Sequence, residues 1–269
     1  MPAPGLRRRS ARDACVPLLA ALVLAGCAAG STGPTAPTPA GASSSASHPT
    51  LAATPATSTS TSTSTSSSPG RAAAADAVVA RVSAAQWATI VARGVWRRGC
   101  PVGRSDLRRV EVGFHGFDGH VHRGVLVVNA DVASNVAAIF TELFNRDFPI
   151  HRMQPVEAYG GDDNASMADD NTSAFNCRSA AQANAPATTS PHANGRAIDL
   201  NPYENPWIDP RCDCFQPDSR YGHQRSGTGV ITKGDVAWTA FTRRGWIWQD
   251  NATTDYQHFD TGYPSRPLR

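Results

Sequence analysis

Twelve consecutive residues, Thr57 to Ser68, read TSTSTSTSTSSS. They lie inside Gly30–Gly70, where every position except His48 and Leu51 is serine, threonine, proline, alanine or glycine. Such a stretch has almost no apolar surface to bury, so nothing offsets the entropy of ordering it. A packed domain must therefore lie on its C-terminal side. The expected organisation is a disordered linker over residues 27–71 and a folded domain over residues 72–269, with its core from about residue 100. About 45 flexible residues reach a root-mean-square distance of roughly 35–40 Å.

The segment before the linker reads as an export signal. Arg7, Arg8, Arg9 and Arg12 form a positive start, and Val16 to Ala25 form a short apolar run. That run is too short for a bilayer span, which takes about 20 residues. It ends in LAGC, which resembles a bacterial lipobox; the implied lipid-modified residue is Cys27, with residues 1–26 removed. A plain secretory signal is the alternative. Of 25 basic residues those four arginines lie in the signal, and of 22 acidic residues only Asp13 does. The remainder carries no net charge, so composition offers no basic surface for nucleic acid.

Four cysteines follow the linker: Cys100, Cys177, Cys212 and Cys214. An even number in an exported chain points to disulfides. Cys212 and Cys214 are close in any fold, which favours Cys100–Cys177 with Cys212–Cys214. A structural zinc on Cys212, Cys214 and His223 is the rival reading, although it lacks an evident fourth ligand.

The pattern of elements predicts an α+β fold, a small mixed antiparallel sheet with flanking helices. Residues 72–98 are Ala-rich, with Val78, Val82, Trp87, Ile90 and Val91 spaced loosely for a helix. Leu107 to Asn129 reads as a hairpin. Val110, Val112 and Phe114 alternate along one arm and Val121, Val125 and Val127 along the other, around Gly116-Phe117-Asp118-Gly119. Asp131 to Asn145 is helical, with one face formed by Val132, Val136, Ile139, Phe140 and Leu143. Phe148 to Ile150 starts an extended segment. Tyr159 to Asn176, with its acidic pairs Asp162-Asp163 and Asp169-Asp170, reads as a solvated polar loop. Arg196 to Leu200 is a strand, Asp235 to Arg243 a helix ending at Gly245, and Trp246 to Trp248 a strand. For Trp207, Trp246 and Trp248, core packing is the expected fate and stacking on a glycan the alternative.

Two short stretches can carry chemistry. In SPHANGRAIDLNP, His192 stands seven residues before Asp199, with Gly195 allowing a sharp turn between them. On the strand that follows, Asp199 shares a face with Ala197 while Ile198 points to the core. In DYQHFD, Asp255 and His258 stand three apart. A catalytic zinc takes three protein ligands and leaves one position open. His192, Asp199 and His258 would complete such a set and leave Asp255 free as a base towards the attacking water.

These stretches carry a resemblance. S-x-H-x-x-G-x-A-x-D followed by D-x-x-H-F is similar to the M15 zinc peptidases, the D-alanyl-D-alanine carboxypeptidase and L-alanyl-D-glutamate endopeptidase group. FDGHVHRGVLVVN, FPIHRMQPVEAYGGDDNASMADDNTSAFNCR and GWIWQDNATTDYQHFD resemble further parts of that domain, from about Cys100 to the C-terminus. The resemblance implies the hedgehog/DD-peptidase-like fold and one zinc ion per chain, bound by His192, Asp199 and His258. It implies Asp255 as the catalytic carboxylate and Arg178 as the arginine that holds the substrate carbonyl. Ser190 falls where some members contact substrate. Two positions depart from relatives: Pro191 and Asn194 replace a glutamate and an aromatic residue, and Gln249-Asp250 replaces a pair of glycines.

The function so implied is hydrolysis of an amide bond in peptidoglycan peptides, as carboxypeptidase or endopeptidase. The expected setting is a monomer held by lipid at Cys27 on the outer face of the cell membrane, facing the wall. That lipid is the only membrane contact expected, and peptidoglycan peptide the only partner. A wall-binding lipoprotein that keeps the fold and metal without catalysis is the rival. Asp255 favours the enzyme, since a binder has no use for a base there.

Overall fold

The computed structural model describes residues 74–178, 190–249 and 254–268. The chain divides into two units, Met1–Thr65 and Ser66–Arg269, and all described residues belong to the second. The expected signal, Cys27 and the whole of the linker lie outside the described residues.

The elements run β1 (Val78–Arg81), α1 (Ala84–Ala92), β2 (Leu107–His115), β3 (Val121–Asn129), α2 (Ala133–Asn145), β4 (Arg152–Met153), α3 (Asp163–Ala168) and β5 (Asn171–Thr172). After the 3-10 turn Pro191–Asn194 come β6 (Ala197–Asp199), β7 (Trp207–Asp209), β8 (Cys214–Gln216), α4 (Arg220–His223), α5 (Val236–Thr242), β9 (Ile247–Trp248) and β10 (His258–Asp260). This mixture of helices and small antiparallel sheets is α+β. The strands do not form the one small sheet that was expected. They form antiparallel sheets β1-β2-β3 and β6-β10-β9, a parallel pair β4-β5 and an antiparallel pair β7-β8. Only the β2–β3 hairpin is long. Most of the other strands have two or three residues and depend on tertiary contacts for their partners.

The hairpin follows from local chemistry. Asp118 Oδ1 accepts from the His120 amide at 3.0 Å, Gly119 takes φ +76°, and the Gly116 amide donates to the His120 carbonyl at 2.7 Å. Nine residue pairs then zip from His115↔Val121 to Leu107↔Asn129. The register corrects the expected inner face of the second arm. Val110 faces Leu126 and Val112 faces Gly124, so Leu126 and Val128 enter the main core and Val121 is exposed. Val127 is buried on the opposite face, in a second cluster with Leu107.

The expected helix over residues 72–98 shrinks to α1. Val78 to Arg81 instead pair with Arg108 to Glu111 along the free edge of β2. There the ladder satisfies backbone groups of β-branched residues that favour strands. The Ser83 hydroxyl accepts from the Gln86 amide at 3.0 Å and starts the helix. Gly94, at φ +71°, lies just beyond its end. Val91, expected on the buried face, is 41% exposed.

The loop expected over Tyr159 to Asn176 is also corrected, for it carries α3 and β5, with Asp163 and Asp170 both buried. Asp162 caps α3 by accepting from the Ala165 amide at 3.1 Å. Local capping and side-chain pairing replaced the solvent that those carboxylates were expected to face.

Two apolar clusters bracket the rest. The main one joins Val110, Leu126, Ile139, Phe140, Ile198, Phe241 and Phe259. The second joins Ile90, Val95, Phe175, Cys177 and Ala193. Trp246 is buried in the first and donates Nε1 to Asn135 Oδ1 at 2.7 Å. Cys100 is bonded to Cys177 and Cys212 to Cys214. The cysteine zinc reading is thereby excluded for these residues.

Phe259 lies at the centre of the main cluster, stacked on Phe241 at 4.0 Å between ring centroids and fully buried. Phe259→Ala should cost about 3–5 kcal/mol through lost burial and the cavity left behind; denaturant unfolding is the check. A second expectation concerns pH. Burial, together with the neighbouring charge of Glu204, pushes the Asp170 carboxyl up to about 8. Between about pH 4 and pH 8 the folded state then holds a proton that the unfolded chain has released, so stability falls as pH rises. Asp170→Asn keeps an acceptor for the Tyr203 amide, which donates to Asp170 Oδ1 at 2.9 Å. Calorimetry should find a smaller drop in Tm between pH 5 and pH 8 for this variant than for the wild type.

Candidate metal centre and cleft

The site is assembled where three local structures meet. Ser190 Oγ accepts from the His192 amide at 3.3 Å and caps the 3-10 turn that carries His192. Gly195 ends that turn at φ +66°, and its carbonyl accepts from the Asn129 amide at 2.7 Å. A Cβ at position 195 would stand 2.7 Å from that same nitrogen, so only glycine fits. The turn is thereby fastened to the end of the hairpin. Next, β6 pairs with β10 in the register His258↔Asp199, Phe259↔Ile198 and Asp260↔Ala197. Side chains alternate along strands. Phe259 and Ile198 therefore enter the core, while His258 and Asp199 stand together on the other face.

His192, Asp199 and His258 converge as a result. His258 Nδ1 lies 3.0 Å from Asp199 Oδ1, His192 Nε2 lies 3.2 Å from Asp199 Oδ2, and the two imidazole nitrogens are 3.1 Å apart. All three residues are buried. Among the described residues this is the one group of three or more histidine, cysteine, aspartate or glutamate side chains gathered closely enough to hold a metal ion.

The outer nitrogens test whether a cation fits. His192 Nδ1 lies 2.6 Å from the Ala174 carbonyl, and His258 Nε2 lies 3.1 Å from Asp260 Oδ2. Each ring therefore donates its proton outward and turns a lone pair inward, the arrangement metal-binding histidines adopt. Asp260 is held in turn by Gln249 Nε2 at 2.8 Å and by the Gly262 amide at 2.6 Å. The electrostatics agree. Burial opposes charge on His258, but hydrogen bonds accepted by the Asp199 and Asp260 carboxylates outweigh it and raise the imidazole well above its ordinary value. Burial likewise opposes ionisation of Asp199, yet the two imidazoles hold its carboxyl well below the usual range. Such a site favours positive charge at its centre. Two imidazoles and a carboxylate are a donor set suited to zinc.

Asp255 lies beside this set rather than in it. Its backbone bridges Trp207, and the Ile208 amide donates to the Thr254 carbonyl at 3.0 Å, so β7 fixes the segment. Burial pushes its carboxyl up to about 7, against the pull of His258, and Oδ1 is buried without a hydrogen-bond partner. Arg178 is placed by the Cys100–Cys177 disulfide next to it, and by Arg97, which donates to the carbonyls of Cys177 and Arg178. Its guanidinium is buried and ion-paired with Asp163 at 3.2 Å.

His192, Asp199, His258, Asp255, Arg178 and Asp163 line one cavity of about 1050 Å³, with Trp207, Ile208, Ile247 and Tyr263 among its apolar walls. Buried polar atoms usually have partners, so orphans mark sites of function. Arg178 Nε, Trp207 Nε1, Asp255 Oδ1 and Gln257 Oε1 are orphans, and all four residues line this cavity.

Residues 183–261 match the family model of the D-alanyl-D-alanine carboxypeptidases among the M15 peptidases. Over these residues the chain is similar to the M15 peptidases. No curated protein and no solved structure matches the chain. The M15 segment contains His192, Asp199, Asp255 and His258, the residues that the cavity gathers; Arg178 and Asp163 precede it.

Four site residues escaped the sequence reading. Asp260 had a usable signal, since it stands two positions beyond His258 on a strand and must share its face. Asp163, Trp207 and Gln257 had none, because their places depend on contacts distant in sequence. Asp260→Asn should weaken zinc affinity about 10–100-fold by loosening the support of His258. His258→Ala should abolish stoichiometric binding. Competition against a chromogenic chelator measures both.

Proposed function

We propose that this chain is a zinc-dependent peptidase that hydrolyses an amide bond in peptidoglycan peptides. The supporting observation is the inward-facing His192–Asp199–His258 set, with the Asp255 carboxyl beside it, inside the segment that matches the M15 family. His192, Asp199 and His258 would hold a zinc ion, which when bound would supply Lewis acidity towards the attacking water and the scissile carbonyl.

The chain's own groups do the rest. Asp255 Oδ1, without a protein partner, accepts the proton of the attacking water and returns it to the leaving amine. Burial, which favours the neutral form of this carboxyl, suits it to hold the proton between the two transfers. Arg178 offers its free Nε to the oxygen that gains charge. Asp260 and the Ala174 carbonyl hold the two imidazoles in the tautomers that keep their lone pairs inward. Trp207, Ile208 and Ile247 form an apolar wall that excludes water from the reacting bond.

The same proposal places the enzyme outside the cell. Cys27 is the lipid-modified residue, residues 27–71 are the tether, and the domain works on the adjacent wall as a monomer. Among the described residues no helix is long and apolar enough to cross a membrane.

Digestion of purified peptidoglycan fragments, read by mass spectrometry, tests the activity. At matched zinc content Asp255→Ala should lower turnover about 10²–10⁴-fold without changing metal affinity. Cleavage surviving undiminished in the variant would remove Asp255 from the mechanism. No cleavage by either protein would favour a wall-binding role.

A further inference from the structure

We infer that the cavity takes the interior of a peptide, with an amide rather than a free carboxylate following the residue on the leaving side of the cut bond. The protein is then an endopeptidase rather than an enzyme that trims a terminal residue. This inference rests on the peptidase reading and deepens it.

The charge of the lining is the first argument. An enzyme that removes a terminal residue must receive that residue's carboxylate, and a carboxylate buried without a cation costs several kcal/mol. Among the described lining residues Arg178 is the single arginine or lysine, against the four carboxylates of Asp163, Asp199, Asp213 and Asp255. Arg178 is already neutralised, because Asp163 stands 3.2 Å away and is itself held by Asn176 Nδ2 at 3.2 Å. An incoming carboxylate would meet an ion pair rather than a free cation. A peptide carbonyl needs only a donor, and Arg178 Nε remains available.

The second argument is extent. The cavity of about 1050 Å³ matches the upper end of ordinary ligand pockets. Its apolar wall also continues outward, where Ile247 is 39% exposed and Tyr263 58% exposed. Such a surface suits a chain that runs on past the cut bond.

The test uses an N-acylated stem pentapeptide ending in D-Ala-D-Ala, prepared as the free acid and as the C-terminal amide. Both are given to the zinc-loaded full chain, and cut positions and rates are read by mass spectrometry. Their affinities for the metal-free protein are measured by calorimetry. The expected result is that the free acid loses its last residue at least tenfold more slowly than the best-cut bond in either peptide. The metal-free protein should bind the amide more tightly. Asp163→Asn, which keeps an oxygen for Asn176 but removes the charge, should narrow the difference about tenfold. Rapid removal of the last residue from the free acid would overturn the inference while leaving the peptidase intact. If neither peptide is cut, the peptidase reading fails and the endopeptidase assignment with it; calorimetry then decides only what the cavity takes, tighter binding of the amide upholding a chain interior and equal or weaker binding ending that too.

Discussion

The pairing of β6 with β10 is the constraint on which the site depends. Three residue pairs join segments about sixty positions apart, and their register decides which side chains share a face. A slip of one residue would turn His258 into the core and Phe259 into the cavity. What prevents the slip is burial. Phe259 and Ile198 are fully buried in the main cluster, and Phe259 is stacked on Phe241. Metal-binding geometry is thus maintained by apolar residues on the opposite face of the same two strands.

The second cluster does the corresponding work for the turn and the arginine. Ala193 and Cys177 are buried in it, and each adjoins a polar residue of the cavity, His192 and Arg178. The Phe175 amide donates to the Val127 carbonyl at 3.0 Å, so the strand leading to Arg178 is tied to the hairpin. The hairpin in turn holds Gly195 through Asn129. A long, locally determined element therefore serves as the frame against which shorter, non-local pieces are aligned. The cavity lies along the seam between the two clusters, since its polar residues His192, Arg178, Asp199 and His258 adjoin Ala193, Cys177, Ile198 and Phe259, each buried in one cluster or the other.

Electrostatics gives this seam its direction. His258 and Asp199 are shifted towards their charged forms, although both are buried. Asp255, three residues from His258, is shifted towards its neutral form. Neighbouring carboxylates in one cavity thus have opposite tendencies, one suited to binding a cation and the other to exchanging a proton. Arg178 and Asp163 form a neutral pair on the same wall. The cavity thereby separates a centre that attracts positive charge from flanks that present donors and acceptors without net positive charge.

Much of this was legible from residues close in sequence. Asp118-Gly119 and the flanking alternation specify the hairpin, and the spacing of Val136, Ile139, Phe140 and Leu143 specifies α2. The spacings of His192 to Asp199 and of Asp255 to His258 identified candidate ligands and a base, since short spacings on turns and strands constrain direction. Tertiary structure decided the rest. It converted part of the Ala-rich segment into an edge strand because β2 had a free edge. It divided the sheet, because strands of two or three residues take whatever partner packing presents. It also brought Asp163 to Arg178 and Trp207 beside Asp255. Local periodicity can state which way a side chain points; which distant side chain it meets is decided by how buried surfaces pack, and no single segment contains that information.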